Sequence, residues 1–360
     1  MKIYCQYTSS KTLSPISGDH INEINMLTAF NQFAEVYYSG TRFDPHKKGY
    51  GLINYSGFPV TRVTDDYDMY YVRMNPNVFR AIPAGKPKLW FATPYDKYCY
   101  QHATAVVTPT EIWAQWLREG KEANHSHLDL PKTPNALSIH QVVGNQFVPL
   151  QCSAKTTAIR QSFGGDFIIG YFGQLTSYTY PHALFHLLPH LVKKYPGIRL
   201  VLGINTNYVE TLPENLPNTT IAKFAYEDMP YVISACDLIV VSQYKSMWDY
   251  WGNQKVIEAA ACGVPIVLGR SKARTELLGE DYELFLPPLH GPSKWRDTIL
   301  MQRMIEKTIK DNHFRMQIAQ KLPRKAQFYS VSESAKRLQI LFEDMCNRCP
   351  VTSMSSAVHM

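Results

Sequence analysis

Short apolar runs alternate along this chain with longer stretches whose apolar positions recur every three or four residues. That is the pattern of parallel strands joined by crossover helices. In the first half, strands are expected at residues 2–7, 35–38, 68–73, 88–92 and 103–108. A helix is expected over 21–32, where Ile21, Ile24, Leu27 and Phe30 share a face and Asp19 reads as the cap. Another is expected over 111–118. Residues 147–150 close this half, and the polar, aperiodic stretch 151–165 reads as a linker.

The second half restarts the alternation more clearly. Strands are expected at 166–172, 198–202, 221–224, 237–242 and 265–268, and helices at 183–194, 229–235 and 255–262. A last amphipathic helix spans 332–344, with Ala335, Leu338, Leu341 and Phe342 on its apolar side. Two such runs joined by one linker indicate two doubly wound α/β domains.

Composition agrees with two cores. The 360 residues are 45% hydrophobic and 19% charged, enough apolar side chain to exclude a disordered chain. The net charge of +7 favours anionic partners, yet Lys and Arg are scattered and form no dense tract, which disfavours nucleic acid. The seven cysteines are dispersed, an arrangement unlike a secreted disulfide framework. Cys346 and Cys349 form a lone CxxC, and His182, His186 and His190 recur on one helical face without a partnering Glu. His125 and His127 sit in a loop-like stretch, so no metal site is expected. The N-terminal residues turn polar at once, and no stretch of about 18 apolar residues occurs, so the expected compartment is the cytoplasm. A peripheral membrane contact stays compatible with the charge.

Ligands of open parallel sheets bind beyond the carboxyl ends of the strands, and the candidate chemistry clusters there. Gly173 and Gln174 follow the strand at 166–172, where a missing side chain lets backbone amides approach a phosphate. After the strand at 237–242 comes an aromatic loop, then Gly252, Asn253, Gln254 and Lys255, leading into the helix that carries Glu258. The start of that helix exposes unpaired N–H groups to a diphosphate. Lys255 opposes the dipole unless an anion lies nearby, and Glu258, one turn on, can accept two hydroxyls of a ribose. Ala259, Ala260, Ala261 and Gly263 are small enough to seat the helix tightly on its sheet.

The stretch 252–267, with its Glu, Ala-rich helix, Cys-Gly and Pro before an apolar strand, resembles the donor-binding segment of family 4 glycosyltransferases. Residues 168–175 resemble the opening strand and glycine of their C-terminal domain, and 274–279 the loop after the motif. Two departures stand out. Tyr250, beside Asp249, occupies the place of the family's first acidic residue. Gln174 stands where Arg is common, and no basic residue follows before His182, so phosphate neutralisation falls to Lys255, Arg270 or Lys272.

The resemblance implies a GT-B fold: two Rossmann-like domains facing a cleft, with a C-terminal helix crossing back to the first. Expected boundaries are 1–155 for an acceptor-binding domain, 166–330 for a nucleotide-sugar-binding domain, 331–347 for the returning helix and 348–360 for a flexible tail. It implies a metal-independent transferase of carbohydrate biosynthesis, moving a hexosyl group from a nucleotide-diphosphate sugar to a glycan or lipid-linked acceptor hydroxyl with retention. No separate cofactor is implied. Asp249 or Tyr250 would meet the donor sugar, Glu258 the ribose, and Gly173, Gln174, Gly252, Asn253, Gln254 and Lys255 the phosphates. Asp19, His20, Tyr95 and Asp96 would face the acceptor. A nucleic-acid base glycosyltransferase and a non-catalytic nucleotide-sugar-binding protein are the alternatives.

Overall fold

A computed structural model describes residues 1–7, 18–40, 63–92, 96–120, 132–139, 141–173, 175, 179–204, 212–242, 253–287 and 295–348. The first half consists of β1 (Lys2–Tyr7), α1 (Gly18–Phe30), β2 (Glu35–Gly40), β3 (Met69–Arg73), α2 (Pro76–Ala81), β4 (Lys88–Phe91), α3 (Lys97–His102), β5 (Ala105–Thr108), α4 (Glu111–Glu119) and β6 (Ala136–Ser138). The six strands form one parallel sheet in the order β2-β1-β3-β4-β5-β6. Both faces are covered, which is why β1, β3, β4 and β5 read as continuous apolar runs rather than alternating ones. One face carries Tyr4, Tyr70, Trp90 and Trp113, and the other carries Met26, Phe30 and Tyr71.

The second half begins with α5 (Ala154–Phe163), then β7 (Phe167–Phe172), α6 (His182–Lys194), β8 (Ile198–Gly203), β9 (Thr219–Ala222), a 3-10 turn (Tyr226–Asp228), α7 (Met229–Ser234), β10 (Leu238–Val241), α8 (Gln254–Ala261), β11 (Ile266–Gly269), α9 (Lys272–Leu278) and β12 (Phe285–Leu286). Three helices complete the chain: α10 (Trp295–Lys310), α11 (Asn312–Gln327) and α12 (Val331–Arg348). The second parallel sheet runs β12-β11-β10-β7-β8-β9, so its order reverses between β7 and β10.

Two expectations are corrected. The stretch taken as an irregular linker contains α5, started by Ser153, whose side chain accepts from the Thr156 N–H. Its periodicity is hidden because few positions are apolar. β6, too short to show a pattern in the sequence, lies at the edge of the first sheet. α1 begins at Gly18, so Asp19 lies inside the helix rather than ahead of it.

Two segments cross between the halves side by side. Val143 N–H donates to Tyr329 at 2.8 Å, and Val331 N–H donates to Val143 at 3.2 Å. Beyond this crossing α12 lies along α1, with Ala335, Leu338 and Phe342 in the core of the first half. The carboxyl ends of the two sheets face each other. Glu276 of α9 accepts from the backbone N–H groups of Glu111 and Ile112, at 2.8 and 3.2 Å, and so caps α4 of the opposite half. Thr110, the residue at that cap position, makes no capping bond itself.

Candidate functional site

The reversal between β7 and β10 is where an open α/β sheet leaves a crevice for ligands. Gly173 follows β7 and α8 follows β10, so the two phosphate-binding candidates meet across that gap. Gly173 has φ of +127°, a conformation open to glycine, and its N–H is tied to Gly203 at 2.9 Å. A methyl group there would overlap Nζ of Lys255. The missing side chain therefore makes room for the ammonium group. At the start of α8, Asn253 O accepts from the N–H of Val256 and Ile257. The N–H groups of Gln254 and Lys255 come before the first intrahelical bond and point out of the helix start.

Lys255 is partly buried, with Nζ 5.5 Å from the centre of the Tyr171 ring. Burial pulls its pKa down to about 8. Glu258 works against that shift, and the charge of Arg274 adds to it. Glu258 is only 5% exposed, and burial pushes its pKa up to about 7 against hydrogen bonds from Tyr226 and Gln254 and the charge of Lys255. Both bonds go to one oxygen. Tyr226 Oη donates to Oε1 at 2.8 Å and Gln254 Nε2 donates to the same atom at 3.2 Å. Oε2 accepts no hydrogen bond among the described residues. A cation beside a glycine, outward amides and a half-engaged carboxylate together suit a diphosphate linked to a polyol.

The other basic candidates are drawn elsewhere. Arg270 pairs with Glu280 at 2.6 Å, and Lys272 lies over Trp116 of α4 at 5.1 Å. Of the three, Lys255 alone stands against Gly173. Asp249, Tyr250, Gly252, Gln174 and Tyr95 lie outside the described residues, as do the side chain of Asp19, His125, His127 and Cys349. His20 is buried edge-on to Tyr7, 6.0 Å between ring centres, at the carboxyl end of β1. Asp96 caps α3 through the Cys99 N–H at 3.0 Å and pairs with Arg80 at 2.9 Å. Burial opposes ionisation there, but these bonds still hold its carboxyl below the usual range. His186 and His190 are exposed on α6, and no cluster of three metal-ligating side chains occurs among the described residues.

Tyr226 and Asn25 escaped sequence reasoning, because they belong to a short turn and a helix face whose partners lie far away in the chain. Glu276, read only as part of the segment after the motif, also meets partners far away in the chain. Arg274 is buried, with Nη1 2.7 Å from Gly269 O, in what had read as a loop and is α9. An aromatic residue before a short helix, such as Tyr226, looks the same in sequence whether it fills a core or holds a carboxylate.

Residues 154–321 match the family described as Glycosyl transferases group 1. A D-inositol 3-phosphate glycosyltransferase of Corynebacterium jeikeium (strain K411) is 23% identical over 192 residues, 49% of this chain and 43% of that protein. The chain thus matches less than half the length of that curated relative. The whole chain superposes on Anabaena Alr3699/HepE, solved in complex with UDP, with a TM-score of 0.70 at 15% identity, covering 96% of this chain and 100% of that one. A glycosyltransferase of Rickettsia africae ESF-5 gives 0.69 at 11% identity, covering 96% and 98%. WaaG, a glycosyltransferase involved in lipopolysaccharide biosynthesis, gives 0.63 at 12% identity, covering 95% and 99%. The chain has the GT-B fold. No helix among the described residues is long and apolar enough to cross a membrane.

Proposed function

We propose that this protein is a retaining glycosyltransferase that moves a hexosyl group from a nucleoside-diphosphate sugar to a hydroxyl of a glycan or lipid-linked acceptor. The observation that carries the reading is Lys255 Nζ lodged against Gly173 at the start of α8, with Glu258 one turn further on. In the transfer, the bond from the anomeric carbon to the diphosphate breaks as the acceptor oxygen bonds to that carbon, and the acceptor proton passes to an oxygen of the departing diphosphate. Negative charge grows on the departing diphosphate, where Lys255 and the first-turn amides of α8 stabilise it. Glu258 Oε2 accepts from the pentose hydroxyls, which fixes the donor without taking part in bond breaking. These side chains supply the charge that a metal would otherwise bring, so turnover should survive a chelator. UDP sugars are the first donors to try, because the superposed Anabaena protein was solved with UDP and with UDP-glucose.

Mixing the protein with a panel of nucleotide sugars should release nucleoside diphosphate from one of them, slowly with water and faster with acceptor. Glu258→Ala should raise the donor KM or abolish turnover, and unchanged kinetics would remove Glu258 from the site. A non-catalytic binding protein is the second reading, favoured by Tyr250 at the place of the first acidic residue. Tight donor binding with no turnover on a broad acceptor panel would select it.

A further inference from the structure

The buried polar groups around Glu258 do not belong to one half of the molecule. Asn22 and Asn25 lie on α1, Val142 on the segment that crosses between the halves, and Gln254 and Glu258 on α8. Tyr226 stands in the 3-10 turn, its ring 5.6 Å from that of Phe147. All five side chains are more than nine-tenths buried. Their hydrogen bonds form one chain. Asn22 Oδ1 accepts from Val142 N–H at 3.0 Å. Val142 O accepts from Asn25 Nδ2 at 2.8 Å and from Gln254 Nε2 at 3.2 Å. Gln254 Nε2 also reaches Glu258 Oε1, as does the hydroxyl of Tyr226, and that hydroxyl is itself bonded by Asn25.

Proton counting fixes the direction of this chain. The single hydroxyl proton of Tyr226 goes to the carboxylate, so its oxygen accepts from Asn25. The Asn25 amide has two protons, one for Val142 O and one for Tyr226. Glu258 therefore receives two bonds on Oε1 from donors fixed in turn by α1 and the crossing segment. The carboxylate plane is set, and Oε2 is left without a hydrogen bond among the described residues.

We infer that Tyr226 and Asn25 are positioning residues that hold the Glu258 carboxylate at the angle the donor pentose requires, so that donor recognition depends on how α1 of the opposite half is seated. The inference rests on the donor-site reading above. A buried network that merely satisfied its own polar groups would lower stability when cut. It would not change how the protein distinguishes a ribonucleotide from its deoxy form. That distinction is the test.

Binding of UDP, GDP, ADP and CDP, and of the 2′-deoxy and 3′-deoxy forms of whichever binds, is measured by titration calorimetry. The wild type, Glu258→Gln, Tyr226→Phe and Asn25→Ser are compared, with thermal melting to establish folding. The wild type should prefer the ribonucleotide by about tenfold or more, the strength of a hydrogen bond to a charged group. Glu258→Gln should erase most of that preference. Tyr226→Phe should weaken ribonucleotide binding about five- to tenfold while barely affecting the deoxy form, and Asn25→Ser should do the same to a smaller extent. If Tyr226→Phe does not fold, Asn25→Ser decides. A wild-type ribose preference kept in the folded variants of Tyr226 and Asn25, but lost in Glu258→Gln, overturns the positioning chain alone. A wild type that binds no nucleoside diphosphate, or a Glu258→Gln variant with full ribose preference, overturns the donor-site reading and this inference with it.

Discussion

Replacing Lys255 with Met should weaken donor binding and stabilise the protein at the same time. Met fills nearly the same volume, so the change is chiefly one of charge. Burial draws the Lys255 pKa from 10.5 to about 8, which at 1.36 kcal/mol per unit is roughly 3 kcal/mol against the charged form in the folded state. At pH 7 the lysine is protonated both folded and unfolded, so the folded protein carries that whole cost and Met relieves up to that amount. Donor binding moves the other way. A charge-assisted contact to phosphate contributes about 1.5–3 kcal/mol, so its loss should raise the donor Kd about ten- to hundredfold. Calorimetry with the donor nucleotide and thermal melting of the free protein read the two effects separately. Unchanged donor affinity would refute the phosphate role of Lys255. Weaker affinity with a lower melting temperature would mean that the lysine supports the fold instead.

The rate at limiting donor should be bell-shaped in pH. It should rise as Glu258 ionises through about 7 and fall as Lys255 loses its proton through about 8, with the alkaline limb missing in Lys255→Met. Gly173→Ala places a methyl group on Lys255 Nζ in a backbone conformation that costs L-residues about 1–3 kcal/mol, and should raise the donor KM more than it lowers kcat. Glu276→Ala uncaps α4 from across the cleft, a loss of about 0.5–2 kcal/mol for a helix cap, and should open the two halves. A larger radius of gyration by small-angle scattering is the expected result, and an identical scattering curve would rule out the cap as a closing contact.

The parallel strands were legible because burial on both faces leaves no room for polar alternation. Residues 166–172 and 237–242 announced β7 and β10 almost to the residue. Glu258 could be named as a candidate because amides, cation and carboxylate follow each other in the sequence at a single helix start. What stayed hidden depends on distant residues. α5 exposes most of its length, so its sequence carries little period, and α9 is too short to show one. No local pattern links Glu276 to the first turn of α4, or Asn25 to Tyr226, because each pair is joined only by the closure of two sheets.

On the proposed reading, Lys255 would balance a departure from the pattern of the family this chain resembles. That family commonly carries an Arg just after the strand corresponding to β7. This chain has Gln174 there and carries its positive charge on the first turn of α8 instead, where the helix dipole and Arg274 both disfavour it. Those two influences and burial make the ammonium costly to keep alone. If a diphosphate binds there as proposed, its negative charge would offset that cost, and the same group would contribute more to binding than a solvated lysine. Gly173 is what permits the exchange, since any side chain at that position would fill the space the ammonium occupies.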